Sequence, residues 1–256
     1  MGYPIDHLKT RSVVKLGQYA LISPEGRVVN VIPGLEGFRT TILATPKMGA
    51  SFVQYISVVS PGARTTKPFG AENGIETFIY FLDGNGELVV RIGDTEQTLV
   101  QGGYAYAPAD HGVAIENRSD ETMRVLLYKQ RYEALDGYRP EIVFGNVHHI
   151  TERPYDDMAN VFIKDLLPTG LGFDMNMHVL SFEPDGCHPF IETHVQEHGA
   201  YVTSGQGIYL LGEEWIQVKK EDFIWFGPFI QQGVYATGRE RLSYIYSKDC
   251  NRDARL

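Results

Sequence analysis

The chain has 256 residues, of which 43% are hydrophobic, and a formal net charge of −9. This length allows one large domain or two small ones, and the composition excludes a fibrous or disordered protein. No basic cluster is longer than Lys219-Lys220 and no apolar run is long enough to span a bilayer, so we expect neither a nucleic-acid partner nor a membrane. The N-terminal residues lack a signal-peptide core, and Cys187 and Cys250 give no disulfide framework, so we expect a cytoplasmic protein.

Short segments rich in Val, Ile, Tyr and Phe recur along the whole chain, separated by Gly, Asn, Asp or Pro. This pattern is typical of all-β sandwiches and barrels. The clearest predicted strand segments are 51–60, 77–93, 123–132, 175–184, 200–211 and 241–248. Helix signals are few, and one or two helical turns are predicted within 155–168, ending at Pro168.

The two halves of the chain share a pattern of strands and turns. Both contain a strand, a Gly-x-Gly turn and a second strand, with the turns at Gly84-Asn85-Gly86 and Gly205-Gln206-Gly207. Further along, 102–117 resembles 221–236. The offset is about 120 residues each time, which predicts two copies of one β module.

The connection between the copies falls within roughly 131–160, where Pro140 and Pro154 interrupt the periodicity. We therefore predict an N-terminal module of residues 1–145 and a C-terminal module of residues 146–256. Exposed sheet edges and an acidic surface favour a homo-oligomer.

The stretch IETHVQEHG (191–199) has two possible interpretations. As a helix, it would place His194 and His198 one turn apart, as in helical metal sites. As a strand, it would direct Glu192 and His194 to one face, and His198 would reach that face across a bend. Gly199 and the β-rich continuation follow at once, which favours the strand.

The spacing around this stretch resembles the first cupin motif, with the ligand types permuted. Glu192 stands where the family usually has its first histidine, and His198 stands where it usually has glutamate. The fourth-ligand position falls at Gln232, in GPFIQQG. Two imidazoles, a carboxylate and an amide oxygen suit a divalent first-row metal ion, and the oxygen donors favour manganese or iron, with zinc still open.

Together with FDMNMHVLSF, SGQG and SYIYSKDCNRD, the permuted set resembles the bicupin (S)-ureidoglycine aminohydrolases of allantoin catabolism. The resemblance covers nearly the whole chain and implies an all-β bicupin, two double-stranded β-helix (jelly-roll) barrels in tandem. It implies hydrolysis of a small ureide, (S)-ureidoglycine, to (S)-ureidoglycolate and ammonia, with Mn²⁺ held by Glu192, His194, His198 and Gln232. Glu192 would also accept a proton.

Tyr209, Tyr244 and Lys248 are further candidates for substrate contact. Tyr244, Tyr246 and Lys248 share one strand face, and an inward lysine is costly to bury unless it meets an anion. The pattern alone leaves an outward-facing polar stripe equally open. The family resemblance assigns Tyr244 and Lys248 to catalysis and substrate binding, adds Tyr209 to the pocket, and leaves Gln232 as a ligand that also contacts substrate.

The first module has no histidine between Gly62 and Glu76. Glu76 is assigned to the usual acid position, the fourth-ligand position falls near Val113, and His111 is offset from it by two residues. One carboxylate cannot hold a divalent ion against water, so we expect this module to be metal-free and structural.

Other polar residues near the motif are assigned no role in metal binding. In DMNMHVL, Asp174, Asn176 and His178 share one face, and a solvent-facing position is favoured over a pocket-lining one. His188 and Glu197 flank the ligands, and His148-His149 lie in the connection. Cys187 is expected to be an inert thiol.

Two other functions remain open from sequence. Two histidines and a carboxylate also suit a non-haem iron dioxygenase. A ligand-binding cupin without catalytic activity is the second alternative, although no helix-turn-helix segment accompanies the modules.

Overall fold

The computed structural model describes residues 10–254, which form an almost entirely β structure. The first twelve strands are β1 Val13–Lys15, β2 Tyr19–Ile22, β3 Val29–Asn30, β4 Leu35–Ala44, β5 Phe52–Thr65, β6 Ile75–Asp83, β7 Leu88–Ile92, β8 Thr95–Leu99, β9 Gly103–Ala107, β10 Ala114–Asn117, β11 Met123–Arg131 and β12 Val143–Asn146. The others are β13 Arg153–Pro154, β14 Val161–Asp165, β15 Met175–Phe182, β16 His198–Ser204, β17 Gln206–Leu211, β18 Glu214–Lys219, β19 Phe223–Phe226, β20 Gln232–Thr237 and β21 Leu242–Asp249.

Helical structure within the described residues is limited to two 3₁₀ turns, Pro24–Gly26 and Val147–His149. The helical turns predicted within 155–168 are therefore wrong. Asp156 and Asp157 adopt positive φ angles that reverse the chain, and β14 then pairs antiparallel with β15. Its Val-Phe-Ile sequence fits a pleated surface better than a helix, because β-branched and aromatic side chains lose rotamer freedom in helices. No helix among residues 10–254 is long and apolar enough to span a membrane.

Each half of the chain builds its own antiparallel sheet system. In the first half the strand order is β12-β9-β6-β11-β5-β10-β7-β8, and β4 pairs with both β5 and β3. In the second half an eight-stranded sheet has the order β1-β2-β19-β16-β21-β15-β14-β13, and a three-stranded sheet has the order β18-β17-β20.

The N-terminal strands pair with the sheet of the other half. β2 lies antiparallel to β19, with Leu21 opposite Ile224, and β1 extends that edge. At the other end of the first half, β12 pairs with β9 and finishes at Asn146. The division between residues 145 and 146 stays a prediction. Strand β2 crosses this division, because it belongs to the first module in sequence and to the sheet of the second half in the structure.

Three apolar clusters organise the interior. One cluster fills the first barrel and includes Ile79 and Phe81, and a second fills the C-terminal barrel around Tyr209 and Phe226. The third joins the halves: Phe78 and Tyr80, which alternate with Ile79 and Phe81 along β6, pack into a cluster with residues of the second half. Strands buried on both faces explain why the sequence shows continuous apolar runs rather than clean alternation.

Candidate metal centre and substrate cavity

Backbone pairing brings two of the predicted ligands side by side. Glu192 and Gln232 form an isolated antiparallel bridge, with N–H to carbonyl distances of 2.8 and 2.9 Å in the two directions. Directly opposed residues in such a bridge project to the same face. His198 begins β16, and His194 lies in the segment between the bridge and that strand.

Both histidines are oriented by backbone carbonyls. Nδ1 of His194 lies 2.9 Å from the carbonyl oxygen of Gln196, and Nδ1 of His198 lies 2.8 Å from that of Ser247. Because a carbonyl only accepts, each Nδ1 carries the hydrogen and each Nε2 presents a lone pair. The two Nε2 atoms face one another at 3.3 Å. Two opposed lone pairs are favourable only with a cation between them, and this carbonyl support is typical of metal-binding histidines.

The remaining donors lie at distances that fit a shared ion. The Gln232 amide is 2.6 Å from Nε2 of His194, and Oε2 of Glu192 is 4.0 Å from the same atom. With metal–ligand bonds of about 2.1 Å, neighbouring donors are roughly 3 Å apart and opposite donors roughly 4 Å apart. The Gln232 amide points its nitrogen at His194, and a half-turn about its terminal bond would present the oxygen instead.

The carboxylate and imidazoles do not complete the site by themselves. Within residues 10–254, no three His, Cys, Asp or Glu side chains converge closely enough to form a metal cluster. The fourth predicted donor is the amide of Gln232, which lies beside His194. The set of two imidazole nitrogens, one carboxylate and one amide oxygen fits a divalent cation.

Burial sets the protonation of these groups. It lowers the pKa of His194 and lowers that of His198 well below the usual range, so both rings are neutral and can donate their lone pairs. Burial also raises the pKa of Glu192, and the nearby Lys248 ammonium partly opposes this effect. The site is a poorly solvated pocket in which the two imidazoles are uncharged ligand donors.

All seven predicted site residues line one cavity of about 20 Å³. These residues are Glu192, His194, His198, Tyr209, Gln232, Tyr244 and Lys248. The hydroxyl oxygens of Tyr209 and Tyr244 are 3.4 Å apart, and both rings are buried. Of the two orientations that the pattern left open for β21, the inward one is therefore found. The volume accommodates an ion or one or two water molecules.

Three polar residues on the cavity wall are absent from the predicted site: Tyr155, His188 and Tyr246. Tyr246 lies on the same face of β21 as Tyr244, so its position was available from the pattern. His188 lies four residues before Glu192, so a strand period of two would place both on one face. This indication is weaker than the one for Tyr246. Tyr155, whose hydroxyl lies 3.5 Å from Oε1 of Glu192, comes from the connection between the halves, where no periodicity indicated it.

The polar residues of DMNMHVL do not face solvent, so the favoured orientation is wrong. Asp174 and Asn176 are buried, as are Met175 and Met177, because β15 is covered on both sides. The Asn176 side chain bonds the backbone N–H and carbonyl of Leu167. His178 contacts Asp165 at 2.8 Å. None of the three lines the cavity.

In the first barrel an apolar pair occupies the place of the ligand bridge. Phe69 and Val113 form an isolated antiparallel bridge like that of Glu192 and Gln232, and both are buried in the barrel core. The predicted fourth position at Val113 is therefore placed correctly in the fold. His111 is exposed, and its Nδ1 lies 3.1 Å from the carbonyl oxygen of Ala109.

Glu76 does not occupy the acid position assigned to it, and that assignment is wrong by one residue. It lies in phase with Phe78 and Tyr80, which face the other half of the molecule, whereas Thr77 is in phase with the barrel interior. The first module has no histidine that fixes its alignment with the cupin motif, so the predicted acid position fell one residue too early. Glu76 accepts hydrogen bonds from Tyr106 and Gln130.

Glu197 occupies the matching place in the second half. Its carboxylate accepts from the backbone of Ser51 and from the indole of Trp225, each at 2.8 Å, so it points away from the cavity. That it binds no metal stays a prediction.

Comparison with known proteins decides the family. A curated (S)-ureidoglycine aminohydrolase from Escherichia coli (strain K12) is 47% identical over 256 residues, which are 100% of this chain and 97% of that protein. The chain belongs to the (S)-ureidoglycine aminohydrolase family. A family member from Arabidopsis thaliana is 31% identical over 95% of this chain and 79% of its own length. A scan against protein-family models found no match.

Solved structures agree with this membership and with the fold. The crystal structure of the Escherichia coli protein YlbA superposes with a TM-score of 0.87 at 44% identity, covering 100% of both chains. A cupin 2 conserved barrel domain protein from Leptotrichia buccalis, 15% identical, covers 83% of this chain and 89% of its own with a TM-score of 0.58. The predicted all-β bicupin fold is confirmed.

Proposed function

We propose that this chain hydrolyses (S)-ureidoglycine to (S)-ureidoglycolate and ammonia in allantoin catabolism. The supporting observation is the permuted ligand set of Glu192, His194, His198 and Gln232 around one buried cavity, in a chain that matches (S)-ureidoglycine aminohydrolases over its full length. The substrate carries an amine and a ureido nitrogen on one carbon. The ureido lone pair can therefore assist departure of the amine. Water supplies the hydroxyl group of the new C–O bond and the one proton that converts the departing amine to ammonia.

The four ligands would hold one divalent cation, and the two oxygen donors favour Mn²⁺. When bound, such a cation anchors an anionic ligand and lowers the pKa of a coordinated water. The two histidines are already positioned for this, because their Nδ1–H groups are engaged and their Nε2 atoms face each other at 3.3 Å.

The surrounding side chains account for binding and proton handling. Lys248 is the cationic side chain on the cavity wall and would pair with the substrate carboxylate, with the Tyr244 and Tyr209 hydroxyls as further partners. Glu192, whose pKa is raised by burial, would accept a proton from the attacking water. The packed aromatic rings of Tyr209, Phe226 and Tyr244 exclude bulk water.

A loop beside the cavity would close over the bound ureide. The segment 189–197 is the candidate, because it leads into β16 and carries Phe190 at 62% exposure and Ile191 at 54% directly before Glu192. Loop closure over a small substrate also sequesters the reaction from solvent.

Ammonia release tests this function directly. Purified protein should liberate ammonia from freshly generated (S)-ureidoglycine under nitrogen as fast as in air. A His198→Ala variant should lose both bound metal and turnover, and His111→Ala, which removes an exposed histidine of the first module, should retain both. A requirement for oxygen would instead support the dioxygenase that two histidines and a carboxylate also suit. Ureide binding without turnover would support a non-catalytic cupin.

We also propose a homo-oligomer in the cytoplasm, built from modules 1–145 and 146–256. Large apolar side chains are exposed on the C-terminal half, including Trp215 at 48% and Phe229 at 67%, which is unusual for a surface that stays in water. Both cysteines are free, as expected in a reducing compartment. Sedimentation analysis of the purified protein tests the oligomer.

A further inference from the structure

His188 is a cavity residue with an unsatisfied side chain. Only 8% of its surface is exposed, and its Nδ1 atom is buried without a hydrogen-bond partner. An unpaired buried polar atom costs about 1–3 kcal/mol, so native structures rarely retain one without a purpose. The ring borders the same cavity as the ligand set, so a partner for this nitrogen can come from the occupant of the cavity.

The ring is held firmly in place. Its backbone N–H donates to the carbonyl of Val234 on β20 at 3.1 Å. Its edges pack against the rings of Phe182 and Tyr209, at interplanar angles of 78° and 84°. The imidazole is therefore pre-positioned, and little conformational entropy is lost when it binds a ligand.

The chemistry of His188 differs from that of the cation on the same wall. Burial lowers the pKa of His188 to about 4, so the ring is uncharged at neutral pH. A neutral imidazole offers one hydrogen-bond donor and one acceptor and has no net attraction for a carboxylate. A ureido group is likewise uncharged and carries both a carbonyl acceptor and N–H donors. Lys248 provides the positive charge that the carboxylate end requires.

We propose that His188 is a specificity-determining residue that hydrogen-bonds the ureido group of the substrate, while Lys248 receives the carboxylate. This proposal rests on the proposed function, since it assigns the two ends of the same ureide. It explains why a residue outside the ligand set lines the cavity and has an unpaired buried nitrogen. His188 thereby distinguishes ureides from other small carboxylates.

Two unreactive probes separate the ends of the substrate. N-carbamoylglycine keeps the carboxylate and the ureido group but lacks the leaving amine, and glycolate keeps the carboxylate and lacks the ureido group. Their dissociation constants are measured by calorimetry on metal-loaded protein. Three proteins are compared: wild type, His188→Leu, which replaces the ring with an apolar side chain of similar volume, and His188→Asn, which keeps a donor and an acceptor.

The expected result is a selective loss. His188→Leu should bind N-carbamoylglycine about tenfold or more weakly, the effect of one lost buried hydrogen bond, and should bind glycolate nearly as wild type does. His188→Asn should recover most of the loss. Equal weakening of both probes by His188→Leu would mean that the residue is only structural, and no weakening of either would also overturn the proposal.

Failure of the underlying function would look different. If wild-type protein bound N-carbamoylglycine no better than glycolate and released no ammonia from ureidoglycine, the ureide assignment itself would fall. Metal content and thermal unfolding of each variant are measured in parallel, and His188→Ala serves as a smaller apolar replacement if the leucine variant does not fold.

Discussion

Replacing Glu76 tests whether it is a structural residue between the halves rather than a remnant of a metal site. Its side chain is fully buried and accepts hydrogen bonds from the Tyr106 hydroxyl and from Nε2 of Gln130, the latter at 2.7 Å. Burial, reinforced by the nearby Asp174 carboxyl group, raises the pKa of Glu76 well above its usual value, which favours the neutral acid. An amide of the same shape should therefore substitute well.

The magnitude follows from the bonds that are lost. Glu76→Ala strands two buried donors, at about 1–3 kcal/mol each, and leaves a small void. The free energy of unfolding should fall on the order of 4 kcal/mol, or roughly 10 °C in the unfolding midpoint for a chain of this size. Glu76→Gln retains the shape and one acceptor, and the Tyr106 hydroxyl can rotate to accept, so its loss should stay below about 1.5 kcal/mol.

Thermal and urea unfolding at pH 7.5 measure both variants beside wild type. Metal content should be the same in all three proteins, because Glu76 faces the inter-half cluster and not a barrel interior. A Glu76→Ala protein as stable as wild type would refute the reasoning, and so would a loss of bound metal without a loss of stability.

Three other substitutions give separate expectations. Burial, reinforced by the Glu197 carboxylate, raises the pKa of Asp249 from 3.8 to about 7. The folded protein therefore holds this proton more tightly than the unfolded chain, and stability falls as pH rises from about 4 to about 7. At pH 8, Asp249→Asn should raise the free energy of unfolding by up to about 4 kcal/mol, which is seen as a higher thermal midpoint. At pH 4 it should change both quantities little. Glu197→Ala should destabilise the fold by about 2–5 kcal/mol through its two lost bonds, yet keep bound metal by elemental analysis. Lys248→Met should weaken glycolate binding at least about tenfold in calorimetry, since a charge-assisted contact is lost.

Much of the fold was accessible from sequence because long strands buried on both faces carry strong signals. The predicted segments 51–60 and 123–132 correspond to β5 and β11, and 241–248 corresponds to β21. The helical turns within 155–168 failed because a short apolar run does not distinguish strand from helix. The pairing of β2 with β19 could not be predicted, because it depends on tertiary contacts between distant segments.

The site was predictable where spacing and residue type agreed. Glu192, His194, His198 and Gln232 line one cavity, since a strand bridge and an adjacent strand start fix their positions. Their role as metal ligands stays a prediction. The assignment of Glu76 failed because no histidine anchored the register. Tyr155 was missed because it reaches the cavity from an irregular connection, where side-chain direction has no period.

The proposed activity requires one divalent cation shared by Glu192, His194, His198 and Gln232. Stripping the protein with a chelator and titrating Mn²⁺ back while following ammonia release from ureidoglycine tests it most directly. We expect activity to vanish in the stripped protein and to return with an end point at one ion per chain. Full turnover by protein that retains no measurable metal would contradict the account.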